Sequence, residues 1–176
     1  ANVKCNDLAV TKDGAVYFTD PTNHQVWYVD PQGKKRVVDK GLGFPNGIIL
    51  WPDQRTLVVA DTRSLKLWAY RIEPNGALKF KQPYYTMRGV LGRTDSGADG
   101  MTVDSRGRLF VATHAGLQMF DTTGRICGII LKPQNRFLSN VVIGGKDMNH
   151  FFVTCSDKVY RRRIQSRAVK VLATDR

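Results

Sequence analysis

"NDLAVTKDGAVYFTDPTNHQVWYVDPQGKKRVV", residues 6–38, holds several short strand signals separated by turn chemistry. A short apolar strand, "LAV", comes first, followed by the turn "TKDG". "AVYFTD" returns, "QVWYVD" carries the aromatics, and the turn "DPQG" leads into an outer strand. β-Branched and aromatic residues bounded by Asp, Pro and Gly are the composition of β-hairpins.

The same grammar recurs in "NGIILWPDQRTLVVADTRSLKLWAYRIEPNGAL" (46–78), "DGMTVDSRGRLFVATHAGLQMFDTTGRICGII" (99–130) and "NVVIGGKDMNHFFVTCSDKVYRRRI" (140–164). Successive units begin 40, 53 and 41 positions apart. No stretch carries a helical period. Four antiparallel strands per unit, repeating about every 40–45 residues, predict an all-β chain of β-propeller blades. A β-sandwich would not explain a four-fold repeat. The blades are placed at about 6–40, 46–83, 99–133 and 139–176, within a single domain spanning 1–176.

The repeat also fixes where polar side chains gather. Asn6, Asn46, Asp99 and Asn140 open the innermost strands. Each second strand runs back and ends at Asp20, Asp61, His114 or Ser156. An antiparallel return brings both sets to one mouth of the propeller. The four openers are therefore expected to converge near the axis. Three amides and one carboxylate supply oxygen ligands, which suit a hard cation such as calcium; thiolate is absent, which disfavours zinc. Turn chemistry is the competing explanation, because Asn and Asp also open strands as caps. Asp20 and Asp61, in "TDP" and "ADT", are read as such loop caps. His114, in "THAG", is a candidate substrate contact at the mouth.

Composition narrows the rest. The chain has 176 residues, a net charge of +12 and 42% hydrophobic residues, enough for one domain with a sizeable core. Its cations are scattered apart from "YRRRI", and no recognition helix, finger spacing or RNA-binding signature accompanies them, so no nucleic-acid partner is expected. No apolar run reaches membrane-spanning length, so no membrane partner is expected; the opening residues lack the basic and apolar regions of a signal peptide, and the compartment of a soluble chain, cytoplasmic or periplasmic, stays open. Cys5, Cys127 and Cys155, odd in number and without a C-x-x-C, are expected as buried free thiols. The connection 79–98 exceeds the other gaps and is a candidate lid, with an ordinary surface loop as the alternative; Tyr84, Tyr85, Arg88 and Arg93 are its candidate contacts to a sugar ring or carboxylate.

"CNDLAVTKDGAVYFTDP", "FPNGIILWPDQRTLVVADT", "SGADGMTVDSRGRLFVAT" and "SNVVIGGKDMNHFFVTCSDKVY" resemble the senescence marker protein / gluconolactonase / luciferin-regenerating-enzyme-like family. The resemblance covers nearly the whole chain and rests on "ND", "PNG" and "DGM" at blade starts. It implies a six-bladed propeller, about four of whose blades this chain supplies. It implies one divalent metal, calcium first, with magnesium, manganese and zinc as alternatives. It implies hydrolysis of sugar-acid lactones. By that resemblance Asn46 and Asp99 bind the metal, Asp99 is also the general base, Asn6 binds metal or substrate, and Asn140 has a less defined substrate role. Diisopropyl fluorophosphatase and paraoxonase, related enzymes, use a similar oxygen set. The chain lacks the family's early "EGP"-like segment with its metal-binding glutamate. It is therefore expected to be part of a longer protein, or to close its ring with missing N-terminal blades or another copy. Two alternatives stand beside the lactonase: a non-catalytic propeller module with a degenerate metal site, and a phosphotriesterase-like hydrolase using Asp99 as nucleophile.

Overall fold

The computed structural model describes residues 2–168, and the end of the fourth unit, 169–176, lies outside the described residues. Four antiparallel sheets follow one another along the chain. The first holds β1 (Leu8–Val10), β2 (Val16–Asp20), β3 (Gln25–Val29) and β4 (Lys35–Lys40). The second holds β5 (Pro45–Leu50), β6 (Thr56–Asp61), β7 (Lys66–Ile72) and β8 (Leu78–Thr86). The third holds β9 (Met101–Val103), β10 (Leu109–Thr113), β11 (Gly116–Phe120) and β12 (Ile126–Ile130). In the fourth, β13 (Leu138–Gly144), β14 (His150–Cys155) and β15 (Lys158–Arg163) form three strands among the described residues. No described helix is long and apolar enough to cross a membrane.

Strands in each sheet are neighbours in sequence because the turns are tight. In "DPQG", "EPNG" and "DTTG" the glycine N–H donates to the carbonyl of Asp30, Glu73 or Asp121 at 2.9, 2.8 and 3.1 Å. Gly33, Gly76 and Gly124 have φ of +86°, +77° and +85°, the left-handed region glycine enters at no steric cost.

Alternation along the strands supplies the packing between blades. On β6, Leu57 and Val59 meet Tyr17 and Val26 of the first blade, while Val58 and Ala60 meet Leu109 and Val111 of the third. On β10, Phe110 and Ala112 turn the other way, toward Val141, Ile143 and Phe151 of the fourth. Two covered faces make every residue of β10 buried, unlike a strand with one solvated face. Burying each Val, Leu or Phe is worth about 1.5–3 kcal/mol, so these three interfaces hold the arc together. The outward faces of the end blades lack such cover: Leu8, Val10 and Val142 are exposed.

The innermost strands β1, β5, β9 and β13 border one cleft of about 460 Å³. They approach closely enough to require glycine. A Cβ on Gly47 would stand 2.0 Å from the Asp99 carbonyl oxygen. A Cβ on Gly100 would stand 2.0 Å from Asn140 Oδ1.

Two sequence expectations are corrected here. The cysteines are free, but only Cys155 is buried; Cys5 precedes β1 and Cys127 sits on the outermost strand β12, and both are exposed. The first part of the 79–98 connection is not a lid. Residues through Thr86 form β8, where Tyr85 is buried, stacked on Phe120 at 5.3 Å and on Tyr84 at 4.0 Å. These rings pack in the seam between blades, where Tyr85 is buried and Tyr84 half-buried on a strand. Arg88 is clamped through its backbone by buried Gln118, at 2.8 Å on both its N–H and its carbonyl. Arg93 lies 3.4 Å from Asp95.

Gly47→Ala is expected to lower stability by at least the roughly 1–3 kcal/mol typical of overpacking, because the obstructing atom is backbone. Gly128→Ala, whose nearest obstruction is Met119 Cε at 3.9 Å, is expected to be nearly neutral. Urea unfolding of both variants measures the difference.

Candidate active site at the blade starts

Backbone pairing fixes the openers at one end of the arc. Asn6 N donates to Thr19 O at 2.9 Å, Thr62 N to Phe44 O at 3.0 Å, Asp99 N to Ala112 O at 3.0 Å and Ser156 N to Phe137 O at 2.8 Å. Each innermost strand therefore starts beside the end of its second strand. Asp20 and Asp61 behave as loop caps. Asp20 accepts from the Asn23 N–H and side-chain amide, and Asp61 accepts from Gly43 N and Phe44 N at 2.9 and 2.8 Å.

Asn46 has the most defined environment. It is 5% exposed. Thr19 Oγ1, from the first blade, donates to its carbonyl at 2.7 Å. Its Nδ2 donates to Thr62 Oγ1 at 3.0 Å. Its Oδ1 is buried and has no hydrogen-bond partner among the described residues. Leaving a buried acceptor unpaired costs about 1–3 kcal/mol, so the atom is suited to an electropositive ligand. The other orphaned buried atoms among the described residues are two indole nitrogens, Trp27 Nε1 and Trp68 Nε1, and Asn149 Oδ1 before β14.

Asp99 follows Ala98 on the next blade and is half-buried. Burial pushes its carboxyl from an ordinary 3.8 up to about 6, and the negative charge of Asp7 adds to the shift; the Gly100 N–H opposes it. Asp7 is an acid that the pattern of openers did not single out. Its Oδ2 accepts from Ile48 N at 3.0 Å and its Oδ1 from Leu8 N at 2.9 Å, so it ties the first blade to the second two residues beyond Asn46. Burial raises its pKa and those two N–H groups restrain the rise. Asp7 occupies the place in the repeat that Gly47 and Gly100 hold elsewhere, and this break in pattern was its sequence signal.

The remaining candidates are placed less tightly. Asn6 is exposed, and no hydrogen bond of its side chain is found among the described residues. Asn140 lies against Gly100, but its Oδ1 accepts from Val141 N at 2.8 Å and is thereby engaged. His114 Nε2 lies 2.9 Å from Asp95 Oδ1, and its ring packs edge-on to Phe137. The described residues bring no three His, Cys, Asp or Glu side chains together. The donors available are amide oxygen and the carboxylates Asp99 and Asp7, a hard set that fits calcium better than zinc.

An arc of propeller blades whose innermost strands open on amide and carboxylate oxygen defines the class of protein. The chain belongs to the SMP-30/gluconolactonase/LRE-like region family, whose profile matches residues 1–157. It is 32% identical over 185 aligned positions to a gluconolactonase of Zymomonas mobilis, covering 92% of this chain and 50% of that protein. It is 26% identical to a pentonolactonase of Haloferax volcanii, covering 85% of this chain and 52% of the relative. The chain thus spans about half the length of these relatives. Among solved structures, a gluconolactonase from Xanthomonas campestris superposes with a TM-score of 0.76 at 27% identity, over 92% of this chain and 58% of that one. Regucalcin from Agrobacterium tumefaciens, described as a calcium-binding protein, shares the fold with a TM-score of 0.79 at 17% identity, over 94% and 62%.

The raised Asp99 pKa gives a signed prediction for calcium-free protein. The folded state holds the proton more tightly than the unfolded chain, so Asp99 costs stability as pH rises from about 4 through 6. In chelator, Asp99→Asn is expected to raise the melting temperature at pH 7, with the gain vanishing below about pH 4. A lower melting temperature for the variant at pH 7 would contradict this assignment.

Proposed function

We propose that the chain carries the chemical centre of a calcium-dependent lactonase acting on lactones of sugar acids. The observation that carries this reading is Asn46 Oδ1, buried and unpartnered among the described residues, in a side chain tied through Thr62 to the backbone just before Asp99. Lactonases recur among the chain's relatives, and this family membership supports the substrate class.

Asn46 through Oδ1, Asp99 through its carboxylate and Asn6 through its exposed amide would hold the ion. Calcium, when bound, supplies Lewis-acid stabilisation of the charge that develops on the lactone carbonyl oxygen. Asp99 takes a proton from the attacking water as its oxygen bonds to the carbonyl carbon. The ring C–O bond then breaks, and the same proton passes to the departing ring oxygen, leaving the open hydroxy acid. In the ion-free chain burial and the charge of Asp7 both raise the Asp99 carboxyl pKa, and a bound cation would lower it again. His114, steadied by Asp95, and Asn140 beside Gly100 meet the hydroxyl groups of the sugar acid at the mouth.

Hydrolysis of glucono-lactone, followed by proton release above the spontaneous rate, tests the reading. Wild type with calcium is expected to be active, and Asp99→Ala or chelation to cost about 100-fold or more. Equal rates for wild type and Asp99→Ala would overturn the catalytic role. Calcium uptake without hydrolysis of any aldonolactone would favour a binding module instead.

A further inference from the structure

We propose that Thr62 is a positioning residue: its single hydroxyl fixes which way the Asn46 amide points and keeps Asn46 in register with Asp99. The inference rests on the calcium reading above for its consequence, but not for its geometry.

A threonine hydroxyl has one proton to donate and lone pairs to accept with. Thr62 Oγ1 donates that proton to Ala98 O at 2.6 Å. Toward Asn46, 3.0 Å away, it is then only an acceptor. The group facing it must be a donor, and Asn46 offers one in Nδ2. Flipping the amide would set Oδ1 against the threonine oxygen, two acceptors at hydrogen-bond distance. Redirecting the proton to Asn46 would leave the Ala98 carbonyl unbonded at a short contact. Both alternatives lose a hydrogen bond in a half-buried seam and leave an acceptor unpaired. Nδ2 therefore stays on Thr62, and Oδ1 is the atom left for a ligand.

The same hydroxyl spans the blades. Thr62 follows β6 in the second blade, and Ala98 immediately precedes Asp99 in the third. One oxygen atom thus links the amide of Asn46 to the backbone that carries Asp99. Thr19 holds the Asn46 carbonyl from the opposite side, so the residue is gripped at both its main chain and its side chain. Partners that orient a metal ligand typically change affinity by about 10–100-fold when removed.

Thr62→Val keeps the shape and removes the hydroxyl; Thr62→Ser keeps the hydroxyl. Two readouts are made on the purified chain. Calcium titration calorimetry gives affinity, and side-chain ¹H–¹⁵N spectra in chelator give the hydrogen exchange of the Asn46 amide without any metal. Thr62→Val is expected to bind calcium about 10–100-fold more weakly and to exchange the Asn46 amide protons faster. Thr62→Ser is expected to restore both. Thr62→Ala replaces the valine variant if circular dichroism shows that valine disturbs the fold. Unchanged amide exchange in the folded, hydroxyl-less variant overturns the positioning role, whatever calcium does. Unchanged calcium affinity in that variant overturns its link to the metal. A wild type that takes up no calcium defeats the calcium reading, and the exchange data still decide the orientation.

Discussion

Gly47 and the Asp99 carbonyl stand so close that no side chain fits between the second and third blades at the axis. Much of the site depends on that approach. It lets the hydroxyl of Thr62 reach from the Asn46 amide to Ala98, and it brings the Asp99 strand near enough to feel the charge of Asp7. At Gly47 and Gly100 glycine after the blade opener is thus a packing requirement, and the polar chemistry beside it follows from the packing. Moving the seam apart by one methyl group would loosen both effects at once.

Away from the axis the blades are joined by apolar seams, and these need no exact polar partner. Tyr85 against Phe120 and Phe110 against Phe151 fill two of them with aromatic rings. The hydrophobic effect is non-directional, so these contacts supply cohesion and leave direction to the hydrogen bonds at the mouth. There Asp61 caps the loop before β5, Thr19 and Thr62 hold Asn46, and Asp95 steadies His114. The result is a hydrogen-bonded rim around an amide oxygen that nothing among the described residues satisfies.

The sheets could be read from the sequence because period-two alternation and Asp-to-Gly turns are local signals. The repeat then placed Asn46 and Asp99 at one mouth without further information. Other features depend on distances between strands that are far apart in sequence. Asp7 reaches the second blade through Ile48, and Thr62 reaches the third through Ala98, neither of which any spacing announces. The long gap between repeats suggests a lid at Tyr84 and Tyr85, although "LKFKQPYYT" carries enough strand formers to extend β8. Composition alone puts Cys127 inside, because cysteine is usually buried, but an outermost strand has one face in water.

A crystal structure grown with calcium tests the central claim most directly. The account predicts an ion at about 2.3–2.6 Å from Asn46 Oδ1 and from the Asp99 carboxylate, with the Asn46 amide still on Thr62. An ion bound away from the axis, or an Asn46 Oδ1 satisfied by protein with no ion present, would contradict it.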